Sequence, residues 1–168
     1  MGSIVCATRG GAGSRAVQEQ AVRHARERGQ NLIFLYVVDT SLLSEADGSL
    51  REAVEIELDW LGRTLLRIAQ IRAENEGTAS TVVIRQGRVV AEICSFISGQ
   101  AAELLLLGAP RGTTASIIGD DPVEILAERI CQQTGVPVEV VRPDSGGSSG
   151  PTTIYCAEPP VADDQSDL

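Results

Sequence analysis

Glu103-Leu104-Leu105-Leu106-Leu107-Gly108-Ala109-Pro110-Arg111-Gly112 is a four-leucine run that ends in a loop of glycine and proline. A short apolar run bounded in this way reads as a strand buried on both faces, the kind found in a parallel sheet. The start of the chain repeats the transition, with Ser3-Ile4-Val5-Cys6-Ala7-Thr8 running into Arg9-Gly10-Gly11-Ala12-Gly13-Ser14 and then a helical segment. In open α/β sheets ligands lie beyond the carboxyl ends of the strands, so two such ends facing one crevice predict a nucleotide-sized site.

Outward from these two strands, helix and strand patterns alternate. The first helix is expected to start at Ser14, as a hydroxyl cap, to bury Val17, Ala21 and Ala25, and to end at Gly29. Asn31 to Val38 is a second central strand, continuous in β-branched and aromatic residues and closed by Asp39. Ser49 with Glu52 reads as a capping box opening a long helix to about Glu76, with Leu50, Val54, Leu58, Leu61, Leu65 and Ile68 as its apolar stripe. Thr81 to Ile84 is a third strand, and Val90, Ile93, Cys94 and Ile97 pattern a helix closing near Gly99. Asp121-Pro122-Val123-Glu124 combines a cap, a first-turn proline and an acidic third position, which strongly specifies a last helix that ends at Gly135. Val136 to Val141 is the fifth strand. Such alternation implies right-handed crossovers and an α/β fold with an open five-stranded parallel sheet sandwiched by helices.

The 168 residues, 43% of them hydrophobic, fit one domain with a substantial core. We expect residues 1–142 to form it and residues 143–168 to be a disordered tail. From Pro143 onward Asp144, Glu158, Asp163, Asp164 and Asp167 stand among Gly, Ser and Pro with no Lys or Arg. A net charge of −9 argues against nucleic acid as a partner, because that affinity rests on basic residues releasing counterions. No apolar run approaches the ~18 residues of a membrane span, and the N-terminus carries no basic leader or cleavage pattern. Cys6, Cys94, Cys131 and Cys156 lack metal-binding spacing, and Cys6 and Cys94 lie in apolar segments. A cytoplasmic protein with reduced thiols is the expectation.

The order of these segments resembles the universal stress protein family from Ile4 to about Val141. The resemblance is carried by Ile4-Val5-Cys6-Ala7-Thr8 before a Gly/Ser loop, Phe34-Leu35-Tyr36-Val37-Val38-Asp39, Gly87 ahead of the third helix, Glu103 to Gly108, and Val136-Pro137-Val138. It implies a Rossmann-like sheet in the order 3-2-1-4-5, frequent homodimerisation and, in many members, ATP or AMP held between the first and fourth strand ends. Other members bind no nucleotide.

ATP-binding members carry Gly, two residues, Gly, nine residues, then Gly-Ser or Gly-Thr. Here Gly108 and Gly112 are separated by three residues, and Gly119 follows after only six more, with Asp120 and Asp121 behind it. An Asp121 cap already occupies the partly positive helix end that a phosphate would use. Family members often have Asp just after the Ala-Thr position, where this chain has Arg9, which cannot accept a hydrogen bond.

These departures predict weak or altered nucleotide binding, with no cofactor certain and ATP or AMP as the candidate. In that site Ala7, Thr8 and Val38 stand near the base and Arg111 near phosphate, within a modified Gly108 to Gly112 loop. Arg9, Asp39, Leu107 and Thr113 complete it. Arg9 and Arg111 suit a smaller anion if they converge, and are otherwise solvated loop residues. Asp39 reads equally as a ligand for a hydroxyl or as a cap of the following loop.

No catalytic machinery is visible. His24 reads as a helix-flank side chain, Ser14 and Ser116 have no base nearby in sequence, and the first loop offers no histidine or lysine for nucleotidyl transfer. Ile56 and Trp60 lie nearly opposite the expected stripe of their helix and mark a contact surface or scattered surface hydrophobicity. Val136 to Val141, as an edge strand, offers an open ladder through which a homodimer can form. The reading is a non-catalytic stress-response or regulatory binding module; the alternative is an AMP/ATP sensor.

Overall fold

The structure, a computed structural model, describes residues 2–9, 12–45, 47–109, 122–144 and 149–155. In chain order the elements are β1 (Ser3–Ala7), α1 (Ala12–Arg28), β2 (Asn31–Asp39), α2 (Gly48–Asn75), β3 (Ser80–Gly87), α3 (Val89–Gly99), β4 (Ala102–Gly108), α4 (Pro122–Thr134), β5 (Val138–Pro143) and β6 (Ser149–Tyr155). A short 3-10 turn spans Ser41–Leu43. The strands form one sheet in the order β3-β2-β1-β4-β5-β6. β1 through β5 pair in parallel, and β6 lies antiparallel on β5.

The leucine run of β4 is buried throughout because both faces of the sheet are covered. Leu104 and Leu106 join Ile4, Cys6, Phe34 and Tyr36 beneath α1 and α2. Leu105 and Leu107 join Val5, Leu35, Val138 and Val140 beneath α3 and α4. The two-residue period of a strand thus divides one apolar run between two cores. Gly29 and Gly135 end α1 and α4 in the left-handed region, at φ 63° and 70°, where a side chain would be strained.

Four expectations change. The sheet has six strands, because Ser149–Tyr155 of the expected tail forms β6; Val136 to Val141 is therefore not an open edge. Helix α1 starts at Ala12, leaving Ser14 buried inside its first turn, and Asp47, not Ser49, stands at the N-cap of α2. The apolar stripe of α2 also shifts. Its buried residues are Gly62, Leu66, Ala69 and Ala73, while Leu50, Leu61 and Ile68 are exposed. The helix is long, 28 residues or about 42 Å; its fully buried residues all fall in the C-terminal half, and Leu58 packs against the core from the N-terminal half. Ile56 and Trp60 project from that half, 61% and 65% exposed.

Burial raises the Cys6 thiol far above its ordinary pKa, and lesser burial also raises that of Cys94. Since the thiolate is the reactive form, Cys6 is expected to stay unmodified by a thiol reagent at neutral pH until denaturant is added. Mass mapping of the labelled residues checks this, and labelling of native Cys6 at the rate of a free thiol contradicts it.

Candidate functional site

β1 and β4 are neighbours whose crossovers leave in opposite directions, so the strand order reverses between them. Register sets the shape of the crevice at their carboxyl ends. Ala7 pairs with both Leu35 of β2 and Leu107 of β4, so β4 extends one residue beyond Ala7, to Gly108. β2 continues past Leu35 to Asp39, itself paired with Gly87 of β3; four residues of strand rise about 13 Å. The ends of β1 and β4 therefore make a floor, and β2 and β3 stand above it as a wall.

Among the expected site residues, Val38, in the wall, and Leu107, in the floor, are each buried in one of the two cores. Ala7 and Gly108 are half-buried, Asp39 is half-buried on the wall and Arg9 is exposed. Thr8 is buried. Its backbone N–H donates to Leu35 O at 2.9 Å, and its Oγ1 accepts from Gln18 Nε2 at 3.1 Å. Gln18 Oε1 in turn accepts from Arg72 Nη1 at 2.8 Å. Thr8 is thus locked under α1 and contributes the position of the chain more than its hydroxyl. Asp39 Oδ1 accepts from the N–H of Ser41 at 3.0 Å and from its Oγ, so the loop-capping reading is realised. Arg111, Gly112 and Thr113 lie outside the described residues, as do Asp120, Asp121 and Ser116.

Gly108 shows why a glycine ends β4. A Cβ built there would lie 2.9 Å from the carbonyl oxygen of Gly13 and 3.2 Å from its carbon. The first turn of α1 therefore rests on the end of β4. That turn contains no acidic residue, whereas the first turn of α4 contains Glu124, held by Arg142 at 2.7 Å. Of the two helix starts, α1 has the stronger positive end. A groove of about 620 Å³ lies elsewhere, lined by Glu19, Val22, Arg23, Arg26, Glu27 and Glu76. The Arg26–Glu76 pair bridges its walls, and its mixed charge selects no ligand class.

Two polar networks escaped the sequence reading. Gln18 shares the buried arc of Val17 and Ala21, and a polar residue on that arc was the available signal. His24 is not a bare helix flank: its Nε2 lies 2.7 Å from Glu139 Oε2, and Glu139 Oε1 accepts from Gln20 Nε2 at 3.2 Å. The signal there was one acidic residue inside Val138-Glu139-Val140-Val141. Among the described residues no group of three or more His, Cys, Asp or Glu could hold a metal, and no helix is long and apolar enough to cross a membrane.

Comparison with solved structures gives the same architecture. A protein of the universal stress protein family from Burkholderia pseudomallei matches with a TM-score of 0.61 and 22% identity, over 82% of this chain and 94% of that one. The universal stress protein UspA from Lactobacillus plantarum matches with a TM-score of 0.65 and 18% identity, over 83% and 96%. The universal stress protein from Archaeoglobus fulgidus in complex with dAMP matches with a TM-score of 0.55 and 13% identity, over 82% and 95%. No curated sequence matches significantly. The family model for the universal stress protein family matches residues 1–142, and the chain belongs to that family.

Proposed function

We propose that the chain is a non-catalytic stress-response or regulatory module that holds an adenine nucleotide weakly, in an altered pose, at the ends of β1 and β4. The supporting observation is the close seat of the first turn of α1 on Gly108, which brings a helix start without a competing carboxylate to the floor. The dAMP held by the Archaeoglobus relative supports adenine nucleotides as the ligand class. Phosphate placement moves toward α1 and Arg9, because the start of α4 carries Asp120, Asp121 and Glu124 in sequence. With Asp39 already engaged by Ser41, the base and ribose lose one strong acceptor. A sensor that uses the Gly108 to Gly112 loop is the alternative form of the same reading.

Calorimetric titration with AMP and ATP tests it. The expected result is a dissociation constant in the millimolar range, about −4 kcal/mol, with AMP no weaker than ATP and no hydrolysis. Micromolar ATP binding would show that the acidic helix start does not exclude a triphosphate. No binding of either nucleotide at 10 mM, roughly ten times the expected constant, would leave a nucleotide-free module.

A homodimer through the Val136 to Val141 strand belongs to this proposal on its partner side. It requires the ladder that β6 occupies.

A further inference from the structure

The outer ladder of β5 is already in use. Backbone oxygens of Pro137 and Val141 accept from Leu105 and Ala109 on the β4 side. By alternation along a strand, Val138 and Val140 turn their backbone groups outward. Their partners in β6 are Tyr155 and Thr153, so the bonded phase of β6 falls on residues 151, 153 and 155. Residue 151 is Pro, which has no N–H to give. The register also shifts between Val141 and Pro143, beyond which Pro143 pairs with Ser149.

Side chains hold β6 unevenly, mainly at its Tyr155 end. Thr152, Thr153 and Ile154 are exposed, Ile154 by 59%. Tyr155 packs against the core that contains Val138 and Val140. Beneath them β5 is the opposite case, with Val138, Glu139, Val140 and Val141 all buried. A strand whose middle residues are exposed, lying on a firmly held one, belongs nearer the low-stability end of a fold than the strand it covers. Its removal would uncover a straight valine-rich edge of the kind that recruits another strand.

We infer that β6 is a detachable strap: docked, it closes the β5 edge in cis, and withdrawn, it opens that edge to β5 of a second copy of this chain. Antiparallel pairing about a two-fold axis keeps each face of one sheet continuous with the same face of the other, so α1 and α4 of each copy stay on their own layers. The inference rests on the homodimer reading above, and the test separates the two.

Sedimentation velocity over a concentration series is run on the full chain, on a chain ending at Asp144, and on full-length Thr153→Pro. A fourth protein carries Val141→Cys and Thr152→Cys in a Cys156→Ser background. Val141 and Thr152 are opposed in the non-bonded phase, where Cβ atoms approach closely enough for a disulfide. The expected result is dimerisation at least tenfold tighter for the shortened chain and for Thr153→Pro than for the full chain. The oxidised staple stays monomeric and regains wild-type behaviour on reduction. If the shortened chain unfolds, as far-ultraviolet circular dichroism would show, Thr153→Pro carries the comparison. Equal dimerisation of open and full chains, abolished by the staple, overturns the strap and keeps the β5 pairing. Folded open variants that remain monomeric, or a stapled chain that dimerises as well as they do, overturn the pairing itself.

Discussion

His24→Ala is expected to lower stability by about 3 kcal/mol, seen as a fall of roughly 6–12 °C in melting temperature for a domain of this size. Glu139 sits on β5 with its side chain 2% exposed, pointing into the layer beneath α1. Its Oε2 faces His24 Nε2 at 2.7 Å, and its other oxygen accepts from Gln20 at 3.2 Å. A carboxylate can only accept, so Nε2 carries the proton in this contact. Removing the imidazole leaves a buried carboxylate with one amide for company, and the cost of breaking such a pair is dominated by the orphaned charge. His24 itself is 16% exposed, so some water reaches the vacated space and the loss falls at the low end for buried pairs. The control is the joint replacement of His24 and Glu139 by Leu. With no charge to desolvate, its melting temperature is expected within a few degrees of wild type. A His24→Ala protein as stable as wild type would mean that Glu139 is solvated or otherwise paired.

Patterning and punctuation made the fold legible in the sequence. The leucines of β4, the glycines after α1 and α4 and the Pro122 helix start each act locally, and each element formed where those signals stand. What local signals do not carry is the line along which an element meets its neighbours. The stripe Leu50, Val54, Leu58, Leu61, Leu65 and Ile68 has a sound helical period, yet only Leu58 and Leu65 of it pack against the core while Leu50, Leu61 and Ile68 are exposed, because the sheet meets α2 along the neighbouring line of Gly62, Leu66, Ala69 and Ala73. β6 was missed for a related reason. Thr152-Thr153-Ile154-Tyr155 is β-prone, but its Ser-Gly-Pro start is poor for a strand on its own, and it is held by the ladder of β5, a partner that composition does not reveal. In the site, Ala7, Thr8 and Gly108 were legible because strand ends are. Asp39 Oδ1 accepts from Ser41 two residues later, a loop contact that the sequence left level with the ligand reading. Glu139 and His24 are 115 residues apart, and only the crossover that lays α1 over β5 brings them together.

Gly108→Val is expected to cost about 2–3 kcal/mol and to abolish measurable nucleotide binding together with that stability. The added Cβ meets the Gly13 carbonyl oxygen at 2.9 Å and Val17 Cγ1 at 3.2 Å. The first is backbone at the start of a helix and cannot rotate away, so α1 must lift off the end of β4. Stiffening the unfolded chain returns at most about 1 kcal/mol, too little to offset the overlap. Gly108→Ala presents the same Cβ without the two extra methyl groups, and its loss should be the smaller of the two. Gly48→Ala is the matched control: a Cβ there meets nothing within 4 Å, and its melting temperature should stay level or rise slightly. The same displacement moves the first turn of α1 away from the floor of the crevice. Titration of AMP into folded Gly108→Ala should therefore show weaker binding at a temperature where both proteins are native. Undiminished binding by a folded Gly108→Ala would place the phosphate away from α1, whereas a Gly108→Val protein that melts within a degree of wild type would show that α1 does not rest on the strand end.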